Sequence, residues 1–158
     1  MPNAPEIQIT LCEDAAAFDQ FAGWLAASDP WLTLRLDTAY CRKAFEGHSR
    51  ECWTISVNGS TAGFVILQMA GTFRGYIQTL FIAPEFQGKG LGHQLLDFCE
   101  AHIGRTSPNI FICVSSFNEG ARRLYESRGF EQIGVLKDFI RSGYDELLYR
   151  KSIGPFVP

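Results

Sequence analysis

LFIAPEFQGKGLGHQLL, residues 80–96, runs from three apolar residues through a proline turn into three glycines at alternate positions, and then into a new periodic pattern. Leu91, Leu95, Cys99 and Ile103 recur at helical spacing until Gly104. Gly88, Gly90 and Gly92 let the backbone bend sharply and let a ligand approach without interference from Cβ atoms. The first N–H groups of the helix beyond them lack intrahelical acceptors, and the macrodipole leaves partial positive charge there. A strand that feeds such a turn into a helix start is the local architecture of a phosphate cradle. Two familiar versions are excluded by spacing. The dinucleotide pattern G-x-G-x-x-G needs glycine where His93 stands, and the P-loop needs glycine at Ala83 and Ser or Thr at Gly90. Taken by itself, the segment 87–92 is equally readable as a tight strand-to-helix connection.

Working outward, "YIQTLFI" (76–82) is the strand that delivers the turn, and "NIFICVS" (109–115) is apolar almost without a break, as in a parallel strand buried on both faces. "NEGARRLYESRG" follows as a helix with Asn118 as N-cap, Ala121, Leu124 and Tyr125 inward, and Gly129 as a left-handed stop. Upstream, "EIQITLC" alternates like a first strand, and a helix behind Asp14 places Phe18, Phe21, Ala22 and Leu25 on one face. A second helix is predicted over "LDTAYCRKAFEG", ending at Gly47. "ECWTISVNGSTAGFVILQM" is a hairpin about Asn58-Gly59, and "FEQIGVLKD" with "YDELLYRK" closes the chain as another. The predicted order is β-α-α-β-β-β-α-β-α-β-β. Early hairpins and later strand-helix-strand crossovers imply a single α/β (α+β) domain over 1–158, with a mixed sheet and helices on both faces.

The chain has 158 residues, 46% hydrophobic and 20% charged, enough for one core. Its formal net charge of -3, without a basic cluster, argues against a nucleic-acid partner. Cys12, Cys41, Cys52, Cys99 and Cys113 are odd in number and scattered, which fits buried thiols in a reducing compartment. Cys99 and His102 share a helical face, but no second ligand pair is spaced to complete a metal site, so no metal is expected. No basic-then-apolar leader or membrane-length apolar run is present, so a cytoplasmic location without membrane contact is expected.

Two motifs carry a resemblance. Gln87, Gly90 and Gly92 fit Q-x-x-G-x-G, and Asn118, Ala121, Tyr125, Gly129 and Phe130 fit N-x-x-A-x-x-x-Y-x-x-x-G-F. In both motifs, and in its element order from about Glu6 to Lys151, the sequence resembles the GNAT family of acyl-CoA-dependent N-acyltransferases. The resemblance implies a mostly antiparallel sheet with one central splayed parallel pair, and acetyl-CoA as co-substrate. It implies that the backbone of Gln87, Gly88, Lys89, Gly90, Leu91, Gly92 and His93 binds the pyrophosphate, and that Leu80, Phe81 and Ile82 pair with the pantetheine arm. By the same match the Leu80 N–H faces the thioester oxygen and Tyr125 is the general acid. Asn118 either touches the cofactor or only caps its helix. His93, in the first helical turn, is not given a base role.

The general base has no match. Histone-acetylating relatives carry a glutamate on the cofactor strand where this chain has Tyr76, whose phenol is almost wholly protonated at neutral pH. The proton then leaves through water or a carboxylate such as Glu119 or Asp145, or the amine has a low pKa. The fold lines its acceptor pocket with the segment between the first two helices, the cofactor strand and the last hairpin. Here those supply Trp31, Phe73, Tyr76, Phe139, Arg141 and Tyr144, with Asp138, Asp145 and Glu146 nearby. Aromatics among acids suit a cationic amine. A small-molecule amine and a peptide amine both remain open as acceptors, as does a homodimer. The resemblance implies either an enzyme that acetylates a primary amine or an acyl-CoA-binding sensor without turnover.

Overall fold

Hydrophobic alternation and helical spacing are realised as seven strands and four α-helices in the predicted order. In the computed structural model, which describes residues 3–158, these are β1 (Ile7–Cys12), α1 (Ala15–Ala26), α2 (Thr38–Arg42), β2 (Arg50–Val57), β3 (Ser60–Gln68), β4 (Tyr76–Ile82), α3 (Leu91–Ile103), β5 (Asn109–Ser115), α4 (Glu119–Ser127), β6 (Glu131–Arg141) and β7 (Tyr144–Ser152). The sheet order is β1-β2-β3-β4-β5-β7-β6. All neighbours are antiparallel except β4 and β5. At the β2–β3 turn, Asn58 (φ 50°) and Gly59 (φ 83°) both take left-handed conformations, the pair of positive φ angles that a tight hairpin of native twist requires.

The second helix is shorter than its periodicity predicts. The Asp37 carboxylate accepts the Tyr40 N–H at 2.8 Å and so starts α2 at Thr38, and after Arg42 the chain tightens into one 3-10 turn over Lys43–Phe45. Competition from a short acidic side chain for helix N–H groups moved the start of the helix.

The sheet carries a core on each face. Against α3 and α4 lie Val65, Leu67, Ile77, Ile112, Val114 and Leu147 with Leu95, Cys99 and Tyr125. Against α1 and α2 lie Phe64, Ile66 and Phe81 with Phe21, Ala22 and Leu25. The second core is an aromatic layer, with ring centroids of Phe21 and Phe64 4.6 Å apart and of Phe64 and Phe81 5.5 Å apart. Both faces of β3 and β4 are therefore covered, so an opening beside β4 is flanked by both helix layers.

Candidate active site

Such an opening exists between β4 and β5. The two strands pair only at Tyr76–Phe111 and Ile77–Ile112, although each runs for five further residues or fewer. The cause lies in β4, where the pairing with β3 slips between Ile66 and Leu67, opposite Thr79 and Ile77, and leaves Gln78 as an extra residue. A bulge of this kind bends its strand and increases the local twist. Beyond it β4 stays on β3 and leaves β5.

The register shows which backbone groups face the gap. Ala83 N–H donates to Ala62 C=O at 2.8 Å, which makes that pair hydrogen-bonded across β3 and β4. Antiparallel pairs alternate, so Phe81 turns its polar groups to β3, and Leu80 and Ile82 turn theirs toward β5. From the other side, Ser116 N–H donates to Asp145 C=O at 3.0 Å, so Cys113 directs its N–H and C=O away from β7 into the same gap. Two strand edges thus confront each other without pairing.

At the far end of β4 the glycine turn is held by Gln87, whose side-chain N–H donates to Ile82 C=O at 2.9 Å. Gly88 (φ 75°) and Gly90 (φ 79°) are left-handed, and a Cβ on either would meet no atom within 4 Å. Gly90 is the N-cap of α3 and supplies no side-chain cap. The first helical bond is Gln94 N–H to Gly90 C=O at 3.1 Å, so the N–H groups of Leu91, Gly92 and His93 precede any intrahelical acceptor. The Lys89 ammonium lies 5.6 Å from the Phe86 ring centre, and His93 Nδ1 lies 3.4 Å from the Arg128 guanidinium. Open space, left-handed glycines and donors without intrahelical acceptors are the features an anion site requires.

The gap widens into a cleft of about 540 Å³ lined from both faces of the sheet. From the α3–α4 side come Asn118, Ala121 and Tyr125, from the strands Tyr76, Leu80, Cys113 and Ser115, and from the α1–α2 side Trp31 and Tyr40. Tyr125 is 5% exposed, with its ring edge-on to Phe130 at 5.7 Å, and burial pushes its phenol pKa up. Asn118 caps α4 and also borders the cleft. Its Oδ1 accepts the Ala121 N–H at 3.2 Å. Asn118→Ala is expected to lower stability by about 1 kcal/mol through the lost cap, and Asn118→Asp to restore it, as urea titration would show.

Of the predicted acceptor residues, Trp31, Tyr76 and Phe139 line the cleft. Phe73 and Tyr144 do not. Phe73 is 58% exposed at the β3–β4 turn and packs edge-on against Phe111, and Tyr144 packs against Phe117. Arg141 reaches from the last hairpin to the α1–α2 segment, donating from Nε to Leu34 C=O at 2.6 Å and from Nη2 to Arg35 C=O at 3.3 Å. Neither carboxylate singled out as a base reaches the cleft. Asp145 accepts the Asp138 N–H at 3.1 Å within its hairpin, and Glu119 pairs with Arg123 at 3.4 Å on the surface. The carboxylate in the cleft wall is Glu146, 5% exposed, in register with Ser115. Nothing in "YDELLYRK" distinguishes it from Asp145, because only the β5–β7 register decides which acid turns inward. His102, sharing a helix with Cys99, is held at 2.8 Å by Glu51 beside Trp53 and Phe98.

Comparison with known proteins gives the same picture. A family model described as "Acetyltransferase (GNAT) family" matches residues 16–130. N-alpha-acetyltransferase RimI of Mycobacterium tuberculosis is 27% identical over 134 residues, 80% of this chain and 78% of that protein. Among solved structures, the ribosomal-protein-S18-alanine N-acetyltransferase from Escherichia coli superposes with a TM-score of 0.75 at 17% identity, covering 95% of this chain and 96% of that one. YncA from Salmonella typhimurium, solved with acetyl-CoA, gives 0.69 at 18% identity over 96% of both chains.

Proposed function

This chain belongs to the acetyltransferase (GNAT) family, and from that premise we propose that it transfers the acetyl group of acetyl-CoA to a primary amine by direct attack on the thioester. The observation that carries the reading is the unpaired β4 edge beside the free N–H groups of α3. These are the two kinds of backbone donor that an acyl donor with a diphosphate and an amide-bearing arm requires. Leu91, Gly92 and His93 N–H groups hold the diphosphate, the glycines around them giving it room. The Leu80 C=O and the Ile82 N–H pair with the arm, and the Leu80 N–H supports the thioester oxygen as negative charge develops on it. Tyr125 gives its proton to the departing sulfur.

In this reading the two reactants approach separately, the acyl donor from the α3–α4 side and the amine from the aromatic α1–α2 side, and meet where β4 and β5 part. Peptide N-termini and small amines both fit an approach of this kind. RimI, an N-alpha-acetyltransferase, favours the former as the first acceptors to try. Five free thiols accord with work in a reducing cytoplasm, and no helix among the described residues is long and apolar enough to cross a membrane.

The test is release of free thiol from acetyl-CoA against a panel of ribosomal-protein N-terminal peptides, polyamines and amino acids. Thiol release with at least one amine, with N-acetylated product in equal amount, is expected. Acetyl-CoA binding without release for any amine would instead mark an acyl-CoA-binding protein.

A further inference from the structure

The buried carboxylate of the cleft has no task in the reading above. Glu146 lies in β7 among residues of the core, and its Oε2 is buried without a hydrogen-bond partner. A buried polar atom left unpaired costs stability and calls for an explanation. The sheet register sets its surroundings. Leu147 and Val114 point to the α3–α4 core, so their neighbours Glu146 and Ser115 point to the α1–α2 face. Tyr76 and Cys113 share that face by the same alternation, opposite Ile77 and Ile112. The acid therefore stands on the amine's side of the gap, two strands from the position where Tyr76 leaves the cofactor strand without a carboxylate.

We propose that Glu146 receives the ammonium group of the acceptor and takes the proton that the amine must lose to become a nucleophile. The proposal rests on the acetyl-transfer reading and names the substrate class within it, a protonated primary amine carried on an apolar or aromatic stem. Trp31, Tyr40 and Phe139 supply walls for such a stem. An ammonium nitrogen carries two protons more than the amide nitrogen of the product. Glu146 takes the first and passes it to solvent, the C–N bond forms as the C–S bond breaks, and the second is matched by the proton the thiol gains. Acetyl-CoA and an ammonium thus give amide, thiol and one proton.

The environment suits that role. Burial raises the Glu146 pKa above the usual carboxylate range, and the Ser115 hydroxyl works in the other direction. Burial, with a lesser contribution from the Glu146 charge, raises the pKa values of Tyr76 and Cys113, so these stay neutral near it. The remaining ionisable groups on the cleft walls are Tyr125 on α4, Tyr40 and Cys41 on α2, Lys43 just beyond α2, and Arg50 on β2. Arg50 is bound at 3.0 Å to the carbonyls of Lys43 and Ala44. Glu146 must be ionised to work, so activity rises with pH through its raised pKa, and that limb falls closer to neutrality than for an exposed glutamate.

Glu146→Gln keeps the shape and removes the charge. Phenethylamine and its alcohol analogue are titrated calorimetrically into the coenzyme A complex of both proteins, and turnover is followed from pH 5 to 9 with whichever amine the panel identifies. The wild type is expected to prefer the ammonium by about 10-fold or more, and the variant to lose that preference while binding acetyl-CoA unchanged. Turnover is expected to fall by about 100-fold or more with loss of the rising acid limb. An equal preference for the ammonium in both proteins, or a variant as active as wild type with the same pH profile, overturns the proposal. A charge-dependent preference without turnover for any amine would leave the ammonium site standing and remove the transferase reading instead.

Discussion

Replacing Tyr125 with phenylalanine is expected to lower turnover by roughly 10²- to 10³-fold and to change acetyl-CoA affinity by less than about threefold. The substitution removes one oxygen atom and keeps the ring that packs edge-on against Phe130, so the α4 face of the core survives. What is lost is the proton donor. Burial holds the phenol pKa above its ordinary value, so the hydroxyl is protonated over the whole range in which the amine reacts. An unassisted thiolate must leave into a cleft whose wall carries Glu146, an acid held largely out of water. Single-turnover rates measured beside acetyl-CoA binding separate the two effects. Wild-type turnover in Tyr125→Phe would reduce Tyr125 to a packing residue.

Gly90→Glu is expected to abolish the thermal protection that acetyl-CoA confers on the wild type. At a ligand concentration about 100 times Kd that protection is about 2.7 kcal/mol, or about 5–10 °C in Tm for a domain of this size. A side chain at Gly90 enters the open space before the helix N-terminus, where no protein atom lies within 4 Å of a Cβ, and a carboxylate there takes the donors meant for the diphosphate. Gly90 also has φ 79°, so any substitution strains the backbone. Gly90→Asn controls for this, because asparagine tolerates the left-handed region and brings no charge. The asparagine variant is expected to keep a measurable part of the protection. Full protection in Gly90→Glu would remove the anion site from this turn.

The parts of this protein that were legible in its sequence are those fixed by local chemistry. Asn58-Gly59 could form only a turn of positive φ, Leu91 to Ile103 could bury only one helical face, and the unbroken apolar run of β5 required cover on both sides. The glycine turn was legible for the same reason. The splay was expected only through the family resemblance, because it depends on a bulge at Gln78, and no side chain in "YIQTLFI" announces a slipped register. Phe73 and Tyr144 were placed in the pocket as aromatics of the right segments, yet a neighbouring ring, Phe111 or Phe117, draws each of them aside. Glu146 was named only among the acids near the pocket and not as a base, because its burial is a property of β7 pairing with β5 at a distance of some thirty residues.

The hold of Arg141 on the Leu34 and Arg35 carbonyls latches the last hairpin to the α1–α2 segment. Neither carbonyl titrates, so acid leaves this latch shut where it would open a carboxylate pair. Dissolved salt weakens it less than it would an exposed pair of opposite charges, because the attraction is short-ranged and directional.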